Sequence, residues 1–248
     1  MILIKSVEEA EVMAQAGRIC AIALDAIRGI ISPGLSTKEI EKFAHDLIRK
    51  EGGRPAFLGY RGYPSSVCTS INEQVVHGIP TGRKLREGDI VSVDLGVDYR
   101  GFFGDAAVTF AVGEVSPEAR RLMRVTEESL GLGIEKAVDG GRLSDISHAI
   151  QAHVEGNGFS VVRSFVGHGI GRALHEEPQV PNFGPPGKGP RLQAGMALAI
   201  EPMVNAGSWK VRVLADGWTA VTEDGRLSAH YEHTVLVGEG KPAVLTRL

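Results

Sequence analysis

The spacing of apolar residues predicts helices in the first part of the chain. Ser6 and Ser36 each stand three residues before a glutamate, Glu9 and Glu39, which is the capping-box pattern that begins a helix. The first of these helices is expected to run to about Ile31. The second carries apolar residues on one face at helical spacing, namely Ile40, Phe43, Ala44, Leu47 and Ile48.

A similar pattern begins again in the second part of the chain. Ser116, followed by Pro117, has the serine cap and first-turn proline of a third helix. Shifting the sequence by 106 positions pairs Gly34 with Gly140, Glu39 with Asp145, Ile40 with Ile146, Ala44 with Ile150, Ile48 with Val154 and Gly52 with Gly158. We interpret this as two related halves, about residues 1–112 and 113–248, each a helix pair followed by strands. A chance likeness between two helix-loop-helix stretches is the alternative. If the halves are related, a site at their junction would draw ligands from both.

Two aspartates lie in a predicted β-hairpin. Residues 89–110 contain two strand-like segments joined by a polar turn. This hairpin makes Asp94 and Asp105 approximately cross-strand neighbours. Directly opposed side chains lie about 4.5–5.5 Å apart, where like charges destabilise the pair. A multivalent cation between the two carboxylates would turn that repulsion into binding.

Two glutamates and a histidine extend this set. Glu201 ends one apolar run and Glu232 interrupts another, and an unpaired carboxylate at a buried position is costly. A single such residue is more often a structural ion pair, but four of them favour a metal site. His168, between Gly167 and Gly169, adds a nitrogen ligand where the glycines allow close backbone approach. Carboxylates with one imidazole suit manganese, iron, cobalt or zinc, and the sequence does not choose among them.

Composition narrows the class of protein. The net charge of the 248 residues is −3, with no basic stripe of the kind that binds a phosphate backbone, so nucleic acid is not an expected ligand. The two cysteines are too few for a disulfide framework and favour a reducing, cytoplasmic location. Residues 1–11 contain three glutamates rather than a basic segment, and Arg18 and Asp25 interrupt the apolar stretch that follows, so we expect neither a signal peptide nor a membrane span.

Short motifs occur along essentially the whole chain, namely Val93-Asp94, Gly104-Asp105, Gly167-His168-Gly169-Ile170-Gly171, His175-Glu176-Glu177-Pro178, Ile200-Glu201-Pro202-Met203 and Tyr231-Glu232-His233-Thr234. Together they resemble the motifs of type I methionine aminopeptidases. The resemblance implies an α/β (α+β) pita-bread fold of the creatinase/aminopeptidase type, with pseudo-twofold halves around a curved antiparallel sheet. It also implies a single catalytic domain, residues 1–248, of the compact bacterial form.

The same resemblance assigns roles to the acidic cluster. It implies two divalent metal ions per chain, bridged by Asp105 and Glu232. Asp94 would complete one coordination sphere, and His168 and Glu201 the other. The ions would activate a shared water, with Glu201 as the general base.

Further residues are expected, by resemblance, to contact the substrate. His77 and His175 would hydrogen-bond the scissile amide and the developing oxyanion. The methionine pocket would contain Phe57, Tyr60, Tyr63, Cys68 and Trp218. Each of these residues is equally compatible with an ordinary position in the hydrophobic core. Phe57 and Leu174 replace a cysteine and a phenylalanine of some relatives, and His230 replaces a frequent glutamine, which leaves the effect of these three positions open.

The function implied by the resemblance is removal of the initiator methionine from nascent proteins when the second residue is small and uncharged. The partners would be nascent polypeptide N-termini, with a ribosome contact left open, and the chain is expected to be a monomer. One alternative is an Xaa-Pro aminopeptidase or dipeptidase of the same fold, although such relatives usually carry an extra amino-terminal domain for which this chain has no room. The other is a noncatalytic binding relative, which intact ligand positions disfavour.

Overall fold

The computed structural model describes residues 2–248, so Met1, which the predicted first half includes, lies outside the described residues. The helices are α1 (Val7–Arg28), α2 (Thr37–Lys50), α3 (Pro117–Ile134) and α4 (Leu143–Gly156), and Tyr60–Gly62 forms a 3₁₀ turn. The strands are β1 (Arg54–Pro55), β2 (Cys68–Ile71), β3 (Gln74–Val76), β4 (Ile90–Tyr99), β5 (Phe102–Ala111), β6 (Ser160–Val161), β7 (Gly167–Gly169), β8 (Glu176–Val180), β9 (Ala197–Ile200), β10 (Met203–Asn205), β11 (Val211–Val213), β12 (Ala220–Thr222), β13 (Ser228–His230), β14 (Glu232–Leu236) and β15 (Ala243–Val244). Within residues 2–248, no helix is long and apolar enough to cross a membrane.

The predicted helix starts are confirmed by their hydrogen bonds. The Glu9 amide donates to Ser6 Oγ over 3.2 Å, and the Glu9 carboxylate accepts from the Ser6 amide over 2.9 Å. Ser36 and Glu39 make the same reciprocal pair at the start of α2, over 3.3 and 2.8 Å. At α3, Ser116 Oγ accepts from the third residue of the helix over 3.1 Å. Each cap satisfies amides that have no partner inside the helix.

Helix boundaries recur at the spacing seen in the sequence. The bounds of α4 are those of α2 shifted by 106 positions, and β6 stands in the same relation to β1. α1 ends at Arg28 and α3 at Ile134, again 106 positions apart, although the sequence predicted that α1 would continue to about Ile31. The tight turn at Gly29, whose amide donates to Ala26 over 3.1 Å, ends α1 earlier. The organisation into two related halves stays a prediction that these spacings support.

A nine-stranded antiparallel sheet forms the centre of the molecule. Its strands run in the order β1-β4-β5-β14-β9-β7-β8, with β2 paired to β4 and β15 paired to β14. β4 and β5 form the predicted hairpin, whereas β5 and β14 pair across more than a hundred residues of sequence. Two three-stranded sheets, β13-β10-β6 and β11-β12-β3, complete the fold.

The four helices pack on one face of the central sheet. Alternate residues of β4 and β5, including Val91, Val93 and Ala106, join an apolar cluster with residues of α1 and α2. Val235 and Leu198, from β14 and β9, join a second cluster with residues of α3 and α4. Because successive side chains of a strand point to opposite faces, the intervening residues of these strands lie on the face away from the helices. The acidic residues singled out above belong to that second face.

Candidate metal centre

Five neighbouring strands each supply one of the predicted ligands. β4, β5, β14, β9 and β7 are adjacent in the sheet in that order. Asp94 lies on β4, Asp105 on β5, Glu232 begins β14, Glu201 directly follows β9, and His168 is the middle residue of β7. The sheet therefore gathers on one face residues that are up to 138 positions apart in the sequence.

The hairpin register differs from the one expected for the two aspartates. Its turn is centred between Arg100 and Gly101, one residue later than predicted, and both residues have positive φ, 53° and 82°. A two-residue turn with positive φ at both positions matches the twist of paired strands. Asp94 and Asp105 are consequently diagonal neighbours on the same face, and the direct partners are Ala107 for Asp94 and Gly96 for Asp105. The prediction that the two aspartates are approximately cross-strand neighbours is confirmed, although the turn lies one residue later than expected and their pairing is diagonal rather than direct.

A small residue separates Asp94 from Glu232. Ala107 pairs with Asp94 on one side and with Glu232 on the other, so its methyl group leaves room between them. Ligand atoms of Asp105, His168 and Glu232 all lie within 4.8 Å of one another. His168 Nε2 is also 3.5 Å from Glu201 Oε1. The five predicted ligands therefore form one cluster.

The cluster is buried and carries an excess of negative charge. Asp105 and Glu232 are each only 3% exposed. Burial raises the pKa of Asp105 to about 7, and burial together with the neighbouring carboxylates raises the pKa of Asp94, Glu201 and Glu232 well above the usual range. Burial also lowers the pKa of His168 to about 4. Each shift disfavours the charged form, which indicates missing countercharge.

Protein groups do not supply that countercharge. Within residues 2–248, the four carboxylates have no lysine or arginine nitrogen within 4.0 Å, so the alternative of structural ion pairs fails. Asp94 Oδ1, Asp105 Oδ1 and Glu232 Oε1 are buried without a hydrogen-bond partner. Buried acceptors normally have donors or bind a cation. Carboxylate oxygens and imidazole nitrogen fit divalent ions such as manganese, iron, cobalt or zinc.

The glycines beside His168 allow close packing around it. A Cβ atom on Gly167 would lie 2.4 Å from the Ala199 carbonyl oxygen, and one on Gly169 would lie 2.1 Å from that of Glu177. Neither position has room for a side chain. The prediction that glycines permit close backbone approach at this strand is confirmed.

A cavity of about 140 Å³ opens above the cluster. Its wall contains all twelve predicted site residues and, in addition, Arg61 and Leu174. The predicted residues are Phe57, Tyr60, Tyr63, Cys68, His77, Asp94, Asp105, His168, His175, Glu201, Trp218 and Glu232. A larger cavity of about 660 Å³ lies between α1 and α3, and none of the predicted site residues lines it. The smaller cavity is the candidate site because its polar groups converge beneath an apolar wall.

Two further histidines, His77 and His175, line the cavity. The ring of His175 stacks on His168, with centroids 4.1 Å apart, and on Tyr60 at 5.2 Å. Burial lowers the pKa of His175 to about 3 and also lowers that of His77, so both rings are neutral near pH 7. His77 has a φ of 60°, an uncommon conformation for a residue other than glycine, and lies edge-on to Trp218.

Comparison with known proteins identifies the family. The sequence model of metallopeptidase family M24 matches residues 11–239. The chain belongs to metallopeptidase family M24. A methionine aminopeptidase from Clostridium perfringens is 54% identical over 246 residues, which cover 99% of each chain. A solved methionine aminopeptidase from Thermotoga maritima is 50% identical with a TM-score of 0.98, covering 100% of both chains.

The M24 fold is the pita-bread fold, which confirms the predicted fold class. A prolidase from Pyrococcus furiosus has a TM-score of 0.81 at 22% identity, covering 99% of this chain and 65% of its own. That likeness concerns the fold alone. As a member of this metallopeptidase family the chain is a hydrolase that uses divalent metal ions.

Sequence reasoning gave no role to three residues of this M24 site, Leu174, Arg61 and His230. Arg61 lines the cavity, and its position in an irregular turn with a φ of 49° gave no periodic signal. His230 lies beneath the cavity, where its Nε2 is 3.8 Å from Glu232 Oε2. The sequence marked His230 as a departure from the family pattern without a role. Its position two residues before Glu232, which predicts the same face of a strand, was the available signal.

Proposed function

We propose that this chain removes the N-terminal methionine from peptides and newly made proteins, using two divalent ions bound on one face of its central sheet. The observation that carries this proposal is the convergence of five candidate ligand side chains, from five adjacent strands, on a cavity with a partly apolar wall. Metal-dependent removal of N-terminal methionine is the function of this chain, in line with its 54% full-length identity to a methionine aminopeptidase. An Xaa-Pro activity has only the shared fold in its favour.

The ligand assignment follows the positions in the sheet. Asp105 and Glu232, on the two central strands, would each serve both ions, with Asp94 at one end and His168 and Glu201 at the other. Two groups of potential ligand atoms support the presence of two ions. One group comes from Asp94, His230 and Glu232 and the other from Asp105, His168 and Glu232, and within each group the atoms lie within 4.8 Å of one another. When bound, the ions supply Lewis acidity, which lowers the pKa of water and polarises the scissile carbonyl.

Three side chains would handle protons and hydrogen bonds in the reaction. Glu201 lies at the edge of the cluster, where burial and Asp105 raise its pKa, and it would take a proton from the attacking water and return it to the leaving amine. His175 and His77 line the cavity, and because burial lowers the pKa of both, each ring is neutral near pH 7 and carries one N–H group. They would donate to the developing oxyanion and to the scissile amide.

The apolar wall would bind the methionine side chain. Tyr63 and Trp218 meet edge to face, with centroids 5.1 Å apart, and Phe57 and Cys68 are buried beside them. The Tyr63 hydroxyl donates to the Gly78 carbonyl over 3.0 Å, which leaves the tyrosine ring for contact with the methionine side chain of the substrate. A thioether packs favourably against aromatic rings and fits an unbranched cavity. Together with Tyr60, these residues would select methionine at the first position.

The remaining assignments concern the context of the reaction. The free amino group of the substrate would be received at the Asp94 end, which would exclude blocked N-termini. The two free, buried cysteines support action in the reducing cytosol. The enzyme would act there as a monomer on nascent chains. The recurrence of helix bounds at 106 positions supports one catalytic domain built from halves near residues 1–112 and 113–248.

Metal-stripped protein reloaded separately with cobalt, manganese, iron or zinc tests the proposal. Met-Ala peptides should be cleaved only after reloading, whereas Met-Leu, acetyl-Met-Ala and Xaa-Pro peptides should be poor substrates. Glu232→Gln should abolish both metal binding and cleavage, and Glu128→Gln, a change on the surface of α3, should alter neither. Full turnover without metal, or faster cleavage of Xaa-Pro than of Met-Ala peptides, would contradict the proposal.

A further inference from the structure

His230 is held firmly beside the carboxylate cluster. It ends β13, is 1% exposed, and lies two residues before Glu232. Its amide donates to Thr109 Oγ1 over 2.9 Å, and its carbonyl accepts from the same hydroxyl over 2.8 Å. Both groups of its backbone are therefore fixed, which leaves the imidazole as the only part of the residue free to interact with the cluster.

The two ring nitrogens of His230 face different partners. Nδ1 lies 3.3 Å from the Pro202 carbonyl oxygen, which can only accept a hydrogen bond. In the neutral ring Nδ1 is therefore the protonated nitrogen, and Nε2 carries the lone pair. Nε2 lies 3.8 Å from Glu232 Oε2, and a ring nitrogen of His230 lies within 4.8 Å of a carboxylate oxygen of Asp94.

The predicted ligand His168 has the same arrangement. Its Nδ1 lies 2.8 Å from the Gly169 carbonyl oxygen, and its Nε2 faces Glu201 at 3.5 Å. A carbonyl that accepts from one ring nitrogen and so turns the other towards a cation is the usual support of a metal-binding histidine. The opposite tautomer of His230 would bring the Nδ1 lone pair against the lone pairs of the Pro202 carbonyl.

A lone pair directed at carboxylate oxygens is repulsive unless a proton or a metal ion lies between them. Asp94 Oδ1 and Glu232 Oε1 are buried without hydrogen-bond partners, so the Asp94 end needs additional positive charge. We propose that His230 is a second imidazole ligand, for the ion at the Asp94 end, so that each of the two ions has one nitrogen ligand. This inference rests on the proposed metal centre and goes beyond it, because the family pattern gives one imidazole to the pair.

The added nitrogen has a consequence for metal preference. Imidazole favours iron, cobalt, nickel and zinc over magnesium, calcium and manganese, whose sites are richer in oxygen. His230→Gln should therefore weaken binding of one of two cobalt ions by tenfold or more, measured by calorimetric titration, and should affect manganese less.

Proton NMR of the cobalt(II)-loaded protein identifies coordinated histidines directly. The N–H proton of a coordinated imidazole exchanges with solvent and is shifted far outside the normal range by the paramagnetic ion. The unaltered protein should show two such resonances. His230→Gln should remove one, His168→Gln should remove the other, and His175→Gln, which changes a cavity residue outside the cluster, should retain both.

The outcomes separate this inference from the metal centre itself. A single shifted N–H resonance in the unaltered protein, lost in His168→Gln and kept in His230→Gln, would show that His230 is not a ligand. Two resonances that both persist in His230→Gln would overturn it as well, even if cobalt affinity fell. Absence of cobalt binding would refute the metal centre instead. A count of one in the unaltered protein, where two are expected, would refute the inference even where a variant fails to fold.

Discussion

The strongest consequence of the carboxylate cluster is that it destabilises the protein when no metal is bound. Asp105 is buried among Asp94, Glu201 and Glu232, and its Oδ1 has no donor. Burial raises its pKa from 3.8 to about 7. A carboxyl group whose pKa is raised by folding stabilises the folded state below its unfolded pKa near 4, and that contribution is lost as the pH rises through about 7.

Asp105→Asn removes the charge with little change in shape. One pKa unit corresponds to about 1.4 kcal/mol, so the rise from 3.8 to about 7 corresponds to about 4 kcal/mol of lost stability at pH 8. The Ala106 amide that interacts with the carboxylate can still donate to the amide oxygen of asparagine. The metal-free variant should therefore be more stable than the unaltered protein at pH 8, by up to about 4 kcal/mol, and the two should converge near pH 4.

Urea unfolding in the presence of a chelator, followed by the fluorescence of Trp209 and Trp218, measures this difference from pH 4 to 8.5. Saturating cobalt should then stabilise the unaltered protein, by about 3 kcal/mol at one hundred times the dissociation constant, and should stabilise the variant much less. Asp25→Asn, which changes an exposed carboxylate of α1, serves as the control and should leave the pH dependence unaltered. A metal-free Asp105→Asn variant that is less stable than the unaltered protein at pH 8 would refute the reasoning.

Three further changes test the site and its support. His175→Ala should lower kcat by about 10²–10³-fold through loss of an oxyanion donor, with bound metal unchanged by elemental analysis; an unaltered kcat would remove that role. Gly104→Ala should lower the free energy of unfolding by about 1–3 kcal/mol, because its Cβ would lie 2.7 Å from a backbone nitrogen of α1. Gly131→Ala, in open space on α3, should raise that free energy by about 0.5–1 kcal/mol. Equal melting temperatures for the two variants would contradict both expectations. Lys5→Met leaves the buried carboxylate of Glu176 unpaired and should cost about 3–5 kcal/mol in chemical denaturation, part of which the added change Glu176→Gln should recover.

Helix starts were predictable from the sequence because each depends on residues close together in the chain. The capping box of Ser6 and Glu9 is made within four residues, and the cap at Ser116 needs only the turn that follows it. The five ligand candidates were also visible, since a carboxylate in an apolar strand is unusual whatever the strand pairs with. The specific combination of motifs was enough to predict the family.

Tertiary structure alone decided how those residues meet. The pairing of Glu232 with Ala107 joins strands far apart in the sequence, and it depends on packing of the whole sheet against its helices. The tight turn at Arg100 and Gly101 set the diagonal register of the two aspartates. His230 acquired its orientation from the Pro202 carbonyl on a distant segment. Local hydrogen bonds and side-chain patterns depend on residues that are neighbours in the sequence. Strand order, register and the direction of a buried ring depend on contacts that form only when the chain has folded.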